Sequence, residues 1–275
     1  MPAYICTTCG TQYPPAASPP SACPICEDPR QYVNPLGQSW IPPDRLARTH
    51  ANAFRLLEPS LFSITTVPSF AIGQRAFLVR GSAGNVLWDC LSLLDPATEE
   101  LIDSLGGLAA IAISHPHFYT VMVDWAGAFD CPIHLHAADR RWVMRPDPAI
   151  RFWEGETLSL ASDITLIRGG GHFAGGTILH WAEGAEGQGA LLSGDILQVL
   201  PDRRHVSFMR SYPNLWPLSA PAVRRIIAAL DGFSFASIYG AFADREILAA
   251  GKDALAASAA RYLAALSGDG SAELA

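Results

Sequence analysis

Four cysteines near the start of the chain stand in two pairs, Cys6-Thr7-Thr8-Cys9 and Cys23-Pro24-Ile25-Cys26, with thirteen residues between the pairs. Two C-x-x-C knuckles at this separation can wrap four thiolates tetrahedrally around one ion. Gly10 gives the backbone freedom where amides must turn toward the sulfurs, and Pro14, Pro15, Pro19 and Pro20 stiffen the loop between the pairs. Two disulfides are the competing use of such residues, one that a reducing compartment disfavours. Zinc would make the module a structural staple or docking surface, and iron would make it a one-electron carrier; zinc is the expectation and iron the alternative. A unit this small has almost no core, so losing its ion should unfold it. Cys90 and Cys131 stand alone and are expected to be buried as small hydrophobes.

A second group of ligating residues lies further along. His115 and His117 flank Pro116 directly after the apolar run 109–113. Residues two apart in an extended segment point the same way, so both imidazoles can face one ion. His172 is embedded among Gly169, Gly170, Gly171, Gly175 and Gly176, which let the backbone bend closely around a site. Asp195, in Ser193-Gly194-Asp195, follows another apolar strand. One histidine at a strand end is ordinarily just a polar loop residue, but three with a carboxylate at compatible positions form a coordination set for one zinc or iron ion. His134 and His136 also form an H-x-H pair, but lack glycine support and are assigned to structure or pocket lining. His50, His180 and His205 are given no role.

The elements that must carry these residues can be traced from periodicity. The segments 61–67, 76–79 and 85–89 are expected as strands, the last two forming a hairpin that turns at 81–84. Asp95 caps a helix with Pro96 in its first turn and Glu99 and Glu100 near the positive end of its dipole. A strand over 109–113 precedes the histidine pair, and helices over 119–129 and 137–144 flank a strand at 132–135. Strands are expected at 157–160, 164–168, 177–181, 190–192 and, last, 233–239. Val223, Ile226, Ile227 and Leu230 recur on one helical face, and 243–266 is expected as a C-terminal helix that breaks near Gly251. Blocks of strands with helices interspersed predict two mixed sheets with helices outside, a four-layer αββα sandwich. The predicted organisation is a cysteine module at 1–30, an ordered connector at 31–57 and the main domain at 58–275.

The 275-residue chain is 49% hydrophobic and 16% charged, which fits a compact globular protein rather than a disordered one. A formal charge of −7 argues against a generic nucleic-acid surface, which needs clustered cations. No apolar run reaches the roughly 18 residues that cross a bilayer. The first residues lack the features of a secretory signal, so a cytoplasmic protein acting on a small molecule, without membrane attachment, is expected. Oligomeric state is not readable.

Two resemblances follow from these motifs. The segment Tyr4 to Cys26 resembles rubredoxin-like and zinc-ribbon modules. The ordered series of a strand ending in Asp89, then His115-x-His117, Gly171-His172 and Ser193-Gly194-Asp195, is similar to the metallo-β-lactamase-fold hydrolases over roughly 60–250. That resemblance implies that His115, His117 and His172 hold one metal and that Asp195 matches a carboxylate bridging two. The family motif H-x-H-x-D-H is incomplete here: Tyr119 and Thr120 stand in its D-H half, and Ala241 stands where a last histidine is expected. One ion is therefore expected rather than two.

The implied function is metal-dependent hydrolysis of an ester, thioester, lactone or phosphoester, with Asp195 as fourth ligand or base. Tyr119 could donate to a developing oxyanion, or its phenol could face the core. Met209, Tyr212 and Trp216, on the aromatic loop 208–216, are candidates for a substrate lid or for ordinary loop packing. Two other functions stay open. One is a mononuclear iron oxidoreductase served by an electron-transfer knuckle; the other is a non-catalytic binding protein on a degenerate fold.

Overall fold

In the strand Arg75–Gly81, Ala76 and Leu78 enter one apolar cluster while Phe77 and Val79 enter another, as a period of two requires. The computed structural model describes residues 1–268. Both faces of this strand are covered, because it lies in the middle of a layered stack. The larger sheet has seven strands, in spatial order Ala51–Glu58, Leu61–Val67, Arg75–Gly81, Gly84–Trp88, Ala110–Ala112, Ile133–His136 and Ile150–Trp153. Its first four strands pair antiparallel and the remaining pairs are parallel. The smaller sheet has six, Thr157–Ser159, Ile164–Arg168, Thr177–Trp181, Ala190–Leu192, Ser237–Tyr239 and Glu246–Ile247.

Phe77, Trp88, Leu179 and Leu192 interleave between the sheets. On the outer face of the larger sheet, Leu78, Leu87 and Ile111 meet Ile102 and Trp125 from the helices Pro96–Ser104 and Met122–Phe129. On the outer face of the smaller one, Ile178, Leu191 and Ile238 meet Val223, Ile226 and Leu255 from the helices Ala220–Leu230 and Gly251–Ser267. This is the four-layer αββα arrangement expected from the strand and helix pattern. Asp95 caps its helix as expected, its carboxylate accepting from the Thr98 amide at 2.8 Å. Among the described residues no helix is long and apolar enough to cross a membrane.

Several boundaries differ from expectation. The connector does not run to residue 57, because Ala51–Glu58 pairs with Leu61–Val67 as the edge strand of the larger sheet. Nor does the cysteine module end at 30: Trp40–Ile41 pairs with Ile5–Cys6, and Ile5 and Leu46 sit in the main core. Ser237–Tyr239 is not the last strand, since Glu246–Ile247 pairs with it antiparallel, and the C-terminal helix therefore starts at Gly251. The helix expected from Tyr119 starts only at Met122, after the 3-10 turn Pro116–Phe118 and a left-handed Thr120 with φ +40°.

One buried ion pair fastens the sheets together at the end where the ligating loops emerge. Arg75 Nη1 lies 2.5 Å from Glu246 Oε1, and Arg75 Nε and Nη2 both donate to the Gly240 carbonyl, at 3.0 and 2.8 Å. Neither side chain reaches solvent to any extent. Removing one partner strands the other charge in the core, so Glu246→Ala is expected to lower stability by about 3–5 kcal/mol, measured by denaturant unfolding. A loss within about 0.5 kcal/mol, the range of ordinary surface changes, would contradict the role given to this pair.

Candidate metal centres

The N-terminal cysteines converge through a short ribbon and one helical turn. Ile5–Cys6 brings in the first knuckle, and the turn Pro24–Glu27 carries Cys26. All four cysteines are buried and unbridged. Cys6 Sγ lies 3.6 Å from Cys26 Sγ, and Cys9 Sγ lies 3.6 Å from Cys23 Sγ. A disulfide would need about 2.0 Å, whereas two sulfurs about 2.3 Å from one tetrahedral ion stand roughly 3.8 Å apart. The Tyr13 hydroxyl donates to Cys23 Sγ at 3.1 Å and Gln38 Nε2 to Cys6 Sγ at 3.0 Å, both of which favour thiolate. Hydrogen bonds from neighbouring thiols pull Cys6 and Cys23 down, whereas burial pushes Cys9 up. Four such groups ionise together only around a cation. Cys90 and Cys131 are buried apart from this cluster, and burial raises both thiols, to about 12 and about 11.

The histidine centre gathers at the ends of central strands. His115 and His117 follow Ala110–Ala112, His172 follows Ile164–Arg168, and Asp195 follows Ala190–Leu192. Their ligand atoms lie within 4.8 Å of one another. His172 Nε2 stands 3.3 Å from His117 Nδ1, and two nitrogens about 2.05 Å from one tetrahedral ion stand roughly 3.3 Å apart. His115 Nε2 is 3.6 Å from Asp195 Oδ2. The outer nitrogens are already engaged: His172 Nδ1 meets the Met209 carbonyl at 3.1 Å and His115 Nδ1 meets Ser114 Oγ at 2.8 Å. A carbonyl can only accept, so His172 carries its proton on Nδ1 and presents an unprotonated Nε2.

Electrostatics make the same point. Burial holds His115 and His117 well below the ordinary imidazole range and brings His172 to about 4, so all three rings are neutral and able to ligate. Burial pushes Asp195 up to about 8, reinforced by repulsion from Asp89, which burial itself raises to about 7. Asp89 Oδ1 accepts from the Ser114 amide at 2.8 Å. Asp89 Oδ2, Asp195 Oδ1 and His115 Nε2 are buried without any partner. Buried polar atoms left without hydrogen bonds, in a cluster of ligand atoms within 4.8 Å of one another, fit a divalent cation held by His115, His117, His172 and Asp195.

At Thr120, one of the positions where the resemblance leads a second-ion ligand to be expected, the backbone is taken up in packing contacts. Thr120 gives its carbonyl to the Gln12 amide at 3.1 Å, Ser92 Oγ donates to the Gly10 carbonyl at 3.1 Å, and Gln12 Nε2 donates to Asp124 at 2.6 Å. The knuckle is thus seated on the turn where the incomplete half of the H-x-H-x-D-H motif falls. Gly10, at φ +79°, permits this, since a Cβ there would collide with Ser92 Oγ. Ala241 is buried in the main core and accepts from the Arg75 amide at 2.8 Å.

A cavity of about 300 Å³ opens onto His117, His172 and Asp195, walled by Tyr212, Ile72 and Phe242 and, from the N-terminal segment, by Thr8, Gln31 and Tyr32. Of the candidate lid residues, Tyr212 is in place, its ring 5.8 Å from that of His172 and its hydroxyl 3.3 Å from the Asp195 carbonyl. Met209 acts through its carbonyl. Trp216 is not in the cavity: it is half-exposed beside Arg210, whose guanidinium stacks 5.0 Å from its ring. Tyr119 likewise does not reach the centre, because its side chain is buried in the main core and borders a separate small gap with Thr11, Gln12 and Met144. His136 is held by the Gly155 carbonyl and packs on Trp153, outside the centre.

Sequence patterns missed Arg30. It is 5% exposed, forks Asp28 at 2.6 and 2.8 Å, lies 3.7 Å over the Phe173 ring and donates to the His172 carbonyl at 3.2 Å. The only local signal is an arginine four residues past the last knuckle cysteine, in Asp28-Pro29-Arg30.

No protein-family model matches the chain. A protein of Bacillus subtilis, described as uncharacterised and called YmaE, is 47% identical over 272 residues, covering 98% of each chain. The DIM-1 metallo-β-lactamase superposes with a TM-score of 0.55 at 11% identity, covering 76% of this chain and 96% of that one. A metallo-β-lactamase of Cronobacter sakazakii superposes with a TM-score of 0.52 at 16% identity, covering 80% and 97%. At such identities the likeness establishes the fold.

Elemental analysis of the purified protein is expected to find two equivalents of metal per chain, falling to one in His172→Ala. Finding one equivalent that His172→Ala leaves unchanged would contradict the histidine centre.

Proposed function

For this chain, which belongs to the family of Bacillus subtilis YmaE and has the metallo-β-lactamase fold, we propose a mononuclear metal-dependent hydrolase acting on a small molecule. The observation that carries the proposal is the buried convergence of three neutral imidazoles with the unpartnered Asp195 carboxylate at the floor of a cavity. His115, His117 and His172 would hold the ion, preferably zinc, and a second zinc would close the cysteine knuckle. A divalent ion in such a set supplies Lewis acidity that makes water acidic near neutral pH and polarises a carbonyl or phosphoryl oxygen.

The chain's own residues do the rest. With a cation at the centre to draw its carboxyl down from the raised value that burial gives it, Asp195 would orient the attacking water through Oδ1, which has no other partner, and take its proton. Tyr212, fixed through its hydroxyl, keeps its ring as a wall of the cavity, and Ile72 and Phe242 keep bulk water from the reacting centre. No lysine or arginine side chain lines the cavity among the described residues. A substrate with its own negative charge would find only the ion to pair with, so within the ester, thioester, lactone and phosphoester range the neutral acyl compounds fit best. The unbridged cysteines suit a reducing compartment, in keeping with a cytoplasmic protein.

The rival reading, a mononuclear iron oxidoreductase, draws on one observation: knuckle residue Thr8 borders the same cavity as His172. Visible absorbance in the protein as isolated would support it; a colourless, zinc-loaded protein removes it.

The test is hydrolysis of a panel of neutral aryl esters, thioesters and lactones by the purified metalloprotein. Turnover is expected to be lost on chelation, restored by zinc, and reduced about 10²–10⁴-fold in Asp195→Asn with its metal content kept. Metal-loaded protein that cleaves nothing in the panel, or an Asp195→Asn variant that cleaves as fast as the original, would contradict the proposal.

A further inference from the structure

The loop bearing His172 is rich in glycine, and its own bonds, from the Gly170 amide to the Gly176 carbonyl at 2.9 Å and from the Gly176 amide to the Phe173 carbonyl at 3.1 Å, leave the His172 ring and carbonyl to be held by others. Gly170 and Gly171 both take positive φ, +69° and +76°, and Gly175 and Gly176 follow three residues later. Such a segment must be held from outside if its imidazole is to stay aimed at an ion. Besides the nitrogen that faces His117, two hydrogen-bond contacts from outside the loop hold His172 itself. The carbonyl of His172 accepts from Arg30, and Nδ1 of His172 meets the carbonyl of Met209.

Both contacts lead back to the cysteine knuckle. Arg30 is four residues beyond Cys26, and its guanidinium is boxed by the Asp28 carboxylate, the Phe173 ring at 3.7 Å and the Trp142 ring at 5.2 Å. The 209–214 segment that presents the Met209 carbonyl is tied to the same stretch: Ser211 Oγ donates to the Arg30 carbonyl at 3.0 Å, and Asn214 Nδ2 donates to the carbonyls of Pro29 and Gln31 at 2.9 and 3.0 Å. Residues 29–31 therefore anchor His172 at its backbone and, through Met209, at its ring. Residues 29–31 follow directly on the turn Pro24–Glu27, which carries Cys26, so an ion holding the four sulfurs would fix the end from which they run.

We propose that the knuckle is a control element for the histidine centre: an ion closing the four cysteines locks Arg30 as a positioning residue for His172, so the two ions bind with positive coupling. The inference rests on the reading that both centres take metal. The coupling is reciprocal, since any factor by which the knuckle ion tightens the histidine centre must be returned. Arg30 touches no reacting atom and no ion. Its action runs through the His172 backbone, and outer contacts of this kind change metal affinity by about 10–100-fold.

Cobalt(II) titration of the metal-free full chain tests this without any assay of activity. Sulfur-to-cobalt charge-transfer absorption follows the knuckle, and the ligand-field bands that disappear in His172→Ala follow the histidine centre. Arg30→Gln is expected to weaken cobalt binding at the histidine centre about 10–100-fold while the knuckle keeps its charge-transfer spectrum. Arg30→Lys, which keeps the charge but cannot both fork Asp28 and reach His172, is expected to fall between. Should Arg30→Gln fail to fold, Asn214→Ala, which loosens the same anchor from the opposite side, is expected to weaken that centre in the same direction. Unchanged affinity at the histidine centre in the folded variants overturns the coupling. A wild-type protein that takes cobalt only at its sulfurs overturns instead the metal reading on which the inference rests.

Discussion

Burying groups that can carry charge is among the most costly things a fold can do, and this one does it at two places. Four sulfurs share one dry pocket at the N-terminus, and Asp195 and Asp89 lie buried beside three neutral imidazoles at the mouth of the sandwich. In each cluster like groups are crowded together, sulfur against sulfur and imidazole against imidazole and carboxylate, a conflict that direct hydrogen bonds relieve only in part. A divalent cation resolves both conflicts, and the spacings, near 3.6 Å for sulfur pairs and 3.3 Å for the imidazole pair, are those that tetrahedral ligation dictates. The layered sheets, with Arg75 and Glu246 pinned between them, hold those strand ends in place.

The cysteine knuckle is built into the surroundings of the histidine cluster rather than appended to the fold. It packs Ile5 into the main core, seats Gly10 and Gln12 on the turn at Thr120, and sends Arg30 beneath His172. Around Thr120 the chain seats the knuckle through the Gln12 amide and the Gly10 carbonyl.

Much of the site was legible because its ligands sit where short-range rules operate. A C-x-x-C pair, an H-x-H at a strand end and a histidine among glycines each announce themselves within a few residues, and the period of two identified the central strands that carry them. Other features depended on contacts that local spacing does not encode. Arg30 meets His172 across 142 positions of sequence, and nothing near Arg30 marks it as more than a surface charge. Of the two places open to Tyr119, the structure takes the core, and the left-handed Thr120 beside it delays the helix to Met122. Trp216 had lid-like composition, but its partner is Arg210 at the surface. The C-terminal helix was drawn too long because Glu246–Ile247 is two residues of strand, a length at which helix and strand patterns cannot be told apart.

The central claim, that two separate clusters each hold one ion, is tested most directly by anomalous diffraction from crystals of the metal-replete protein. The account predicts two peaks per chain, one equidistant from the sulfurs of Cys6, Cys9, Cys23 and Cys26 and one bounded by His115 Nε2, His117 Nδ1 and His172 Nε2. A single peak at the sulfurs, with the histidine nitrogens bridged by ordered water alone, would contradict it.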